Sequence, residues 1–131
     1  GLVVSDRYTT SNAVHQGSKV PEGERAEFFR WLYDLEYDRM GLPRPDLVVL
    51  LDMPVEVSEQ LMRKREQSTG THADIHERDE AYLEKCRAVA RQAAEYYGWK
   101  RVSCVQSGTL RSVEEIHEEV FSIVRTCLKG E

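Results

Sequence analysis

The sequence predicts an α/β protein with helices on both faces of a mostly parallel sheet, and three observations carry that prediction. The apolar blocks at residues 2–5 and 47–52 are continuous rather than alternating, as in strands buried on both faces. Helical stretches long enough for crossover connections lie between the apolar runs. Strand and helix patterns then alternate along the chain, instead of strand following strand through short hairpins.

The first strand, residues 2–5 (LVVS), exits into Asp6-Arg7-Tyr8. Residues 9–23 (TTSNAVHQGSKVPEG) are rich in Thr, Ser, Asn, Gly and Pro and read as a loop at a strand's carboxyl end, where open α/β sheets gather ligands. A helix is expected over 22–40, with Phe28, Trp31, Leu32, Leu35 and Met40 near one face and Gly41, Pro43 and Pro45 as its stop. The second strand covers 47–52 (LVVLLD). The helix over 54–66 starts with Pro near its first turn and carries Val55, Val57 and Leu61. A polar loop, 67–73 (QSTGTHA), leads to a helix from Asp74 to about Tyr97, with Ile75, Tyr82, Cys86, Val89, Ala93 and Tyr97 at helical intervals and Gly98 after it. The third strand is expected at 102–106. The last helix opens at Ser112, whose spacing to Glu115 fits a capping box, and runs through Ile116, Val120, Ile123 and Cys127.

A chain of 131 residues makes one domain, burying roughly two thirds of its unfolded surface. With 40% hydrophobic and 31% charged residues it reads as an ordinary globular sequence. No apolar run approaches the roughly 18 residues of a membrane span, and the N-terminal apolar stretch is too short to be a signal peptide. A cytoplasmic address is the expectation, with no membrane partner. Cys86, Cys104 and Cys127 are odd in number and sit apart within apolar patterns, which suits reduced thiols. The net charge of −5 argues against a general nucleic-acid binder, while 13 Arg against 5 Lys suits phosphate recognition by a few planar forks.

Four groups of residues carry candidate chemistry. Asp6 and Arg7, followed by Ser11, His15, Gln16 and Gly17, offer a guanidinium for a phosphate and polar groups with a flat ring for a base. The alternative is that Asp6 and Arg7 close the strand through local pairing. Arg63, Lys64 and Arg65 stand at a helix end before a polar loop, either complementing the helix dipole or forming the rim of a closing lid. His72 and His76 are followed by Glu77, which is not the H-E-x-x-H order of a zinc site, and no metal-ligand spacing is present. Asp52, ending its strand, suits either a magnesium-bound water or the cap of the following helix.

In order along the chain, DRYTTSNAVHQG (6–17), WLYDLEYDRMGLPRPDLVVLLDMPVEVSEQLMRKR (31–65), DIHERDEAYL (74–83) and RSVEEIHEEV (111–120) resemble the successive motifs of thymidylate kinases. The resemblance implies a three-layer α/β/α P-loop NTPase fold and phosphoryl transfer from Mg-ATP to dTMP, giving dTDP and ADP for dTTP synthesis. Mg2+ would come with ATP, and the protein would be a homodimer formed through helix packing. The face with Phe28, Trp31 and Leu35 is the candidate interface, with core burial as its alternative. Arg7 would bind the dTMP phosphate and act on the transferring phosphoryl group, with Asp6 fixing the strand end. Ser11, His15 and Gln16 would lie over the nucleoside. Arg63 and Arg65 would serve catalysis and ATP binding at the rim of a lid spanning about 63–78, with Glu77 and Tyr82 as the lid's acid and aromatic. Arg111 and Ser112 would close over the adenine.

The sequence also departs from the family. His15 stands where the family has Tyr or Phe, Ile75 where many relatives have a lid Arg, and Ala90 where a Tyr is frequent. The phosphate loop G-x-x-x-x-G-K-S/T does not occur in the sequence. The resemblance therefore implies that residues 1–131 are the C-terminal two thirds of one kinase domain, with the first strand here equivalent to the family's third and the N-terminal strands missing. Such a chain is expected to be inactive alone, with a gap between its first and second strands. A related deoxynucleoside or nucleotide kinase, and a non-catalytic nucleotide-binding or dimerising protein, are the alternatives.

Overall fold

A computed structural model describes residues 1–69 and 80–130. The chain enters through an extended segment into α1 (Thr10–Gly17). A 3-10 turn (Glu22–Glu24) then leads into α2 (Arg25–Tyr33), which passes without a break into a π-helical segment (Asp34–Arg39). After β1 (Val49–Asp52) come α3 (Val55–Thr69) and α4 (Glu80–Tyr97). The chain closes with β2 (Lys100–Ser103), the hairpin β3 (Val105–Gln106) and β4 (Thr109–Leu110), and α5 (Val113–Leu128). β1 and β2 pair in parallel, Val49 opposite Lys100 and Asp52 opposite Ser103. The helix-rich α/β class is as the sequence implies, with one parallel strand pair among the described residues.

The core forms where α1, α2 and α4 meet. Phe29 is fully buried among Ala13, Leu32, Val89 and Ala93, with Phe28, Tyr97 and Trp99 packed against that cluster. Small residues set the spacing: a Cβ on Gly17 would stand 3.0 Å from Val89 Cγ1 and 3.3 Å from Phe29 Cε1. Tyr97 completes the junction by donating its hydroxyl proton to the Phe29 carbonyl at 2.6 Å. At the other end of the chain, the Ser112 hydroxyl accepts the Glu115 N–H at 3.1 Å, the expected cap of α5.

Several expectations are corrected. Residues 2–5 are not a strand, and Leu2, Val3 and Val4 are 63%, 92% and 82% exposed. Apolar composition does not make a strand without a neighbour to complete its hydrogen-bond ladder, and among the described residues none pairs with this segment. Residues 10–17 are helical rather than loop, because Ala13 and Gly17 are buried against the core and packing overrides a polar, turn-like composition. The helix expected over 22–40 changes pitch: Met40 N–H donates to the Leu35 carbonyl at 2.8 Å, five residues back. The third strand starts earlier and stops at Ser103, its remainder folding into the β3–β4 hairpin around Ser107 (φ 53°) and Gly108 (φ 79°). Gln67–Thr69, read as loop, extend α3. Residues 70–73 of that loop, the start of the following helix at 74–79, and with them His72, Ile75, His76 and Glu77, lie outside the described residues.

Candidate functional site

The first group of predicted site residues falls on α1 and its entry. Asp6 and Arg7 are exposed just before the helix, with the Ser5 hydroxyl donating to the Arg7 carbonyl. Ser11 is half-buried on α1, and His15 and Gln16 are exposed on it. Ser11 and His15 are four residues apart and share a helix face. Residues at and around α1 hold it in place. Tyr8 donates to the Pro43 carbonyl at 2.9 Å, Thr9 and Tyr37 share a hydrogen bond at 2.9 Å, and Asn12 Nδ2 donates to Glu36 Oε2 at 3.1 Å. Burial pushes the Glu36 carboxyl above its ordinary value, with the Asn12 bond opposing.

Arg25 fixes the other end of α1. It is buried, and its Nε donates to the carbonyls of Gly17 and Val20, each at 3.2 Å, while Nη1 reaches Gln92 Oε1 at 3.3 Å. A guanidinium at a helix C-terminus satisfies carbonyls left without intrahelical donors and suits the helix dipole. Sequence reasoning passed over this residue, because an Arg at a helix start carries no mark of what lies opposite it.

At the carboxyl end of the sheet, buried Asp52 is a hub of positive charge. Arg87 Nε donates to its Oδ1 at 3.1 Å, and Arg91 Nε and Arg101 Nη2 stand 3.7 Å from its Oδ2. Three guanidiniums around one carboxylate leave an excess of two positive charges. A divalent cation is disfavoured there, so the magnesium reading of Asp52 gives way to an ion-pair hub. The helix-cap alternative is not realised either, since among the described residues the Asp52 carboxylate accepts its hydrogen bond from Arg87 and none from the first turn of α3. Arg87 and Arg91 are four residues apart, the one signal of this hub that the sequence offered.

Arg111 lies close by. Its Nη1 donates to the Ser103 carbonyl and to Glu119 Oε1, each at 2.7 Å, and its Nε is 3.7 Å from Glu115 Oε2. It thereby ties the start of α5 to the end of β2, beside a shallow hollow of about 280 Å³ lined by Gln106, Ser107, Thr109, Leu110, Arg111 and Glu115. The Ser112 hydroxyl is engaged as the α5 cap. Between Asp52 and Arg111, burial pushes the Cys104 thiol up, Asp52 adding to the shift and Arg111 opposing it.

The lid residues are only partly in view. Arg63 and Arg65 are exposed on α3, Arg63 standing 4.0 Å from Glu59 one turn back. Tyr82 is half-buried in the first turn of α4, where the Cys86 thiol raises the pKa of its hydroxyl and Ser18 opposes the shift. The structure thus brings Asp6, Arg7, Ser11, His15 and Gln16 onto α1 and its entry, and Arg111 with Ser112 beside the hairpin.

A parallel α/β sheet with guanidiniums gathered at its carboxyl end is an architecture that phosphate-handling α/β proteins use. The chain belongs to the thymidylate kinase family, whose model matches residues 1–120. It is 33% identical over 99 residues to the thymidylate kinase of Mycobacterium tuberculosis, an alignment covering 75% of this chain and 46% of the relative. To the probable thymidylate kinase of Thermococcus onnurineus it is 32% identical over 123 residues, covering 94% of this chain and 51% of the relative. To that of Pyrococcus abyssi it is 29% identical over 129 residues, 98% and 54% of the two chains. The chain therefore spans about half the length of the curated relatives it matches. No solved structure matches it significantly. Among the described residues, no helix is long and apolar enough to cross a membrane.

Proposed function

We propose that this chain is the C-terminal part of a P-loop kinase that transfers the terminal phosphoryl group of Mg-ATP to dTMP. The observation that carries this reading is the family match, which runs through residues 1–120 and takes in each element bearing a candidate site residue. In this reading Arg7, at the entry to α1, binds the dTMP phosphate and spreads charge from the transferring group, while Asp6 orients that entry. Ser11 and Gln16 hydrogen-bond the nucleoside, and the His15 imidazole stacks on the base. Arg63 and Arg65 on α3, with Glu77 and Tyr82, belong to the lid that closes over the phosphates. The hollow beside the hairpin takes the adenine against Arg111 and Ser112. Catalysis then rests on positioning and on charge stabilisation in a water-poor site, with no covalent intermediate.

Mg2+ would supply charge neutralisation on the ATP phosphates. The described residues offer it no seat of their own: no group of three His, Cys, Asp or Glu converges among them, and Asp52 faces guanidiniums. It therefore enters this reading as a companion of the substrate. Dimerisation is proposed through the outer edge of α2, where Trp31 is 57% exposed and lies 6.0 Å, ring to ring, from Phe28. The proposed place of action is the cytoplasm, where free nucleotides are available.

The test is ADP formation by the full-length protein with dTMP, dUMP, dGMP and thymidine as alternative acceptors. We expect dTMP to be preferred and Arg7→Ala to lower kcat/KM for dTMP by about 100-fold or more. Faster turnover of a purine nucleotide or of thymidine would overturn the assignment, and with it the role given to His15. Sedimentation of Trp31→Glu tests the dimer, since unchanged association would remove α2 from the interface.

A further inference from the structure

We propose that the cavity at the amino ends of β1 and β2 is a binding site for a small planar organic cation of the amidinium or guanidinium class. The cavity has a volume of about 240 Å³. An apolar cavity of about 150 Å³ accommodates a benzene ring, so this one has room for a ring and a head group. It lies next to Leu47, Val48 and Lys100, at the ends of the strands opposite Asp52 and Ser103, and meets α1 through Thr10 and Ala13, whereas the α1 residues proposed for the nucleoside, Ser11, His15 and Gln16, do not line it.

Its walls are aromatic. Tyr33, Tyr37, Tyr97 and Trp99 line it, with Tyr97 and Trp99 stacked at 5.6 Å and Tyr33 edge-on to Tyr37 at 4.7 Å. Aromatic faces attract cations, and one already rests on this wall: the Arg44 guanidinium lies over the Tyr33 ring at 5.4 Å. That charge is matched by Asp38, to which Arg44 is ion-paired. Glu36, also in the lining, has no such match. It is only 6% exposed, its one hydrogen-bonding side chain is the neutral amide of Asn12, and among the described residues no cation lies within ion-pair reach of its carboxylate. Asp46 adds a second acid to the lining, while Lys100 stands exposed at the rim. A buried carboxylate without a cation is costly, and a planar cation between the aromatic walls supplies both the charge and the two parallel N–H donors that a carboxylate prefers. The same carboxylate acts on its neighbours: burial raises the Tyr97 and Tyr37 hydroxyls, and Glu36 adds to both shifts.

The test is an NMR titration of the chain with benzamidine, neutral benzamide and anionic benzoate, following the amides of Val48, Gly98 and Lys100 and the Trp99 indole N–H. Benzamidine is expected to shift these signals, with benzamide weaker by about tenfold and benzoate weaker still. Glu36→Gln should bring benzamidine down to the level of benzamide. Should that variant fail to fold, Tyr33→Leu, at the half-exposed rim, should still weaken benzamidine binding. Equal binding of benzamidine and benzamide, a preference unchanged in Glu36→Gln or Tyr33→Leu, or no shift with benzamidine up to about 10 mM would overturn the proposal. None of these outcomes depends on kinase activity.

Discussion

Replacing Asp52 with Asn removes one charge from the hub while keeping the shape of the side chain and one acceptor. The wild-type carboxylate accepts one charged hydrogen bond at 3.1 Å, from an Arg87 side chain that is 28% exposed, and makes two ion pairs at 3.7 Å with side chains that are 46% and 43% exposed. A hydrogen bond to a charged group contributes about 1.5–3 kcal/mol, and a half-exposed ion pair about 0.2–1 kcal/mol. Because Asn retains part of the first interaction, the expected loss is about 2–3 kcal/mol. Three guanidiniums would then face one another without a counter-charge, so the loss should shrink as salt is added and should not vanish, Asp52 being buried. Urea denaturation at low and high salt measures this, urea being preferred to guanidinium because it does not itself screen charge. The double variant with Arg87→Gln isolates the pair and should show a coupling of about 1 kcal/mol or more. A loss under about 0.5 kcal/mol, or no coupling, would refute the hub.

Other expectations rest on single contacts. Gly17→Ala places a Cβ 3.0 Å from Val89 Cγ1 and should cost about 1–3 kcal/mol, read as a lower urea midpoint with unchanged slope. Tyr97→Phe deletes the 2.6 Å bond to the Phe29 carbonyl and should cost about 1 kcal/mol at neutral pH. Because burial keeps this phenol protonated in the folded chain while the unfolded chain ionises, the variant should also lose less stability than the parent above about pH 10. For Glu36, whose carboxyl is raised from 4.5 by burial, the unfolded chain releases the proton first, so its contribution to stability is full below 4.5 and is lost as pH rises through the folded value. Glu36→Gln should therefore gain stability over the parent at pH 7 and show no gain below about pH 4, a difference that thermal melts across pH would reveal.

Much of the fold is local enough to read from sequence. The cap at Ser112 and the apolar stripe of α4 each depend on neighbours a few residues away, and the continuous apolar run at 49–52 is a strand because β2 supplies its partner. What failed was decided at long range. Leu2, Val3 and Val4 have the composition of a strand, yet pairing belongs to two segments and not to one. Thr10–Gly17 have the composition of a loop, yet Ala13 and Gly17 are buried, which only the positions of Phe29 and Val89 determine. The site was legible to a similar degree. A motif contained in one segment, such as 6–17, stays together on and before α1. The convergence of Arg87, Arg91 and Arg101 on Asp52 joins a helix, two strands and about fifty residues of chain, and nothing in a linear reading announces it. Arg25 was hidden for the same reason.

The β1–β2 pair has a consequence in the time its amides take to exchange with solvent. In a parallel ladder, successive residues of a strand aim their N–H and C=O groups to opposite sides. Lys100 N–H donates to the Val48 carbonyl and Cys104 N–H to the Asp52 carbonyl, so the even-numbered residues of β1 face β2. Val49 and Leu51 then point their backbone groups at the other edge, where no described strand pairs with them. Along four residues, deuterium should enter in alternation, fast at Val49 and Leu51 and slow at Leu50 and Asp52. Any strand that settled on that edge would erase the alternation, and the exchange pattern would report its arrival one residue at a time.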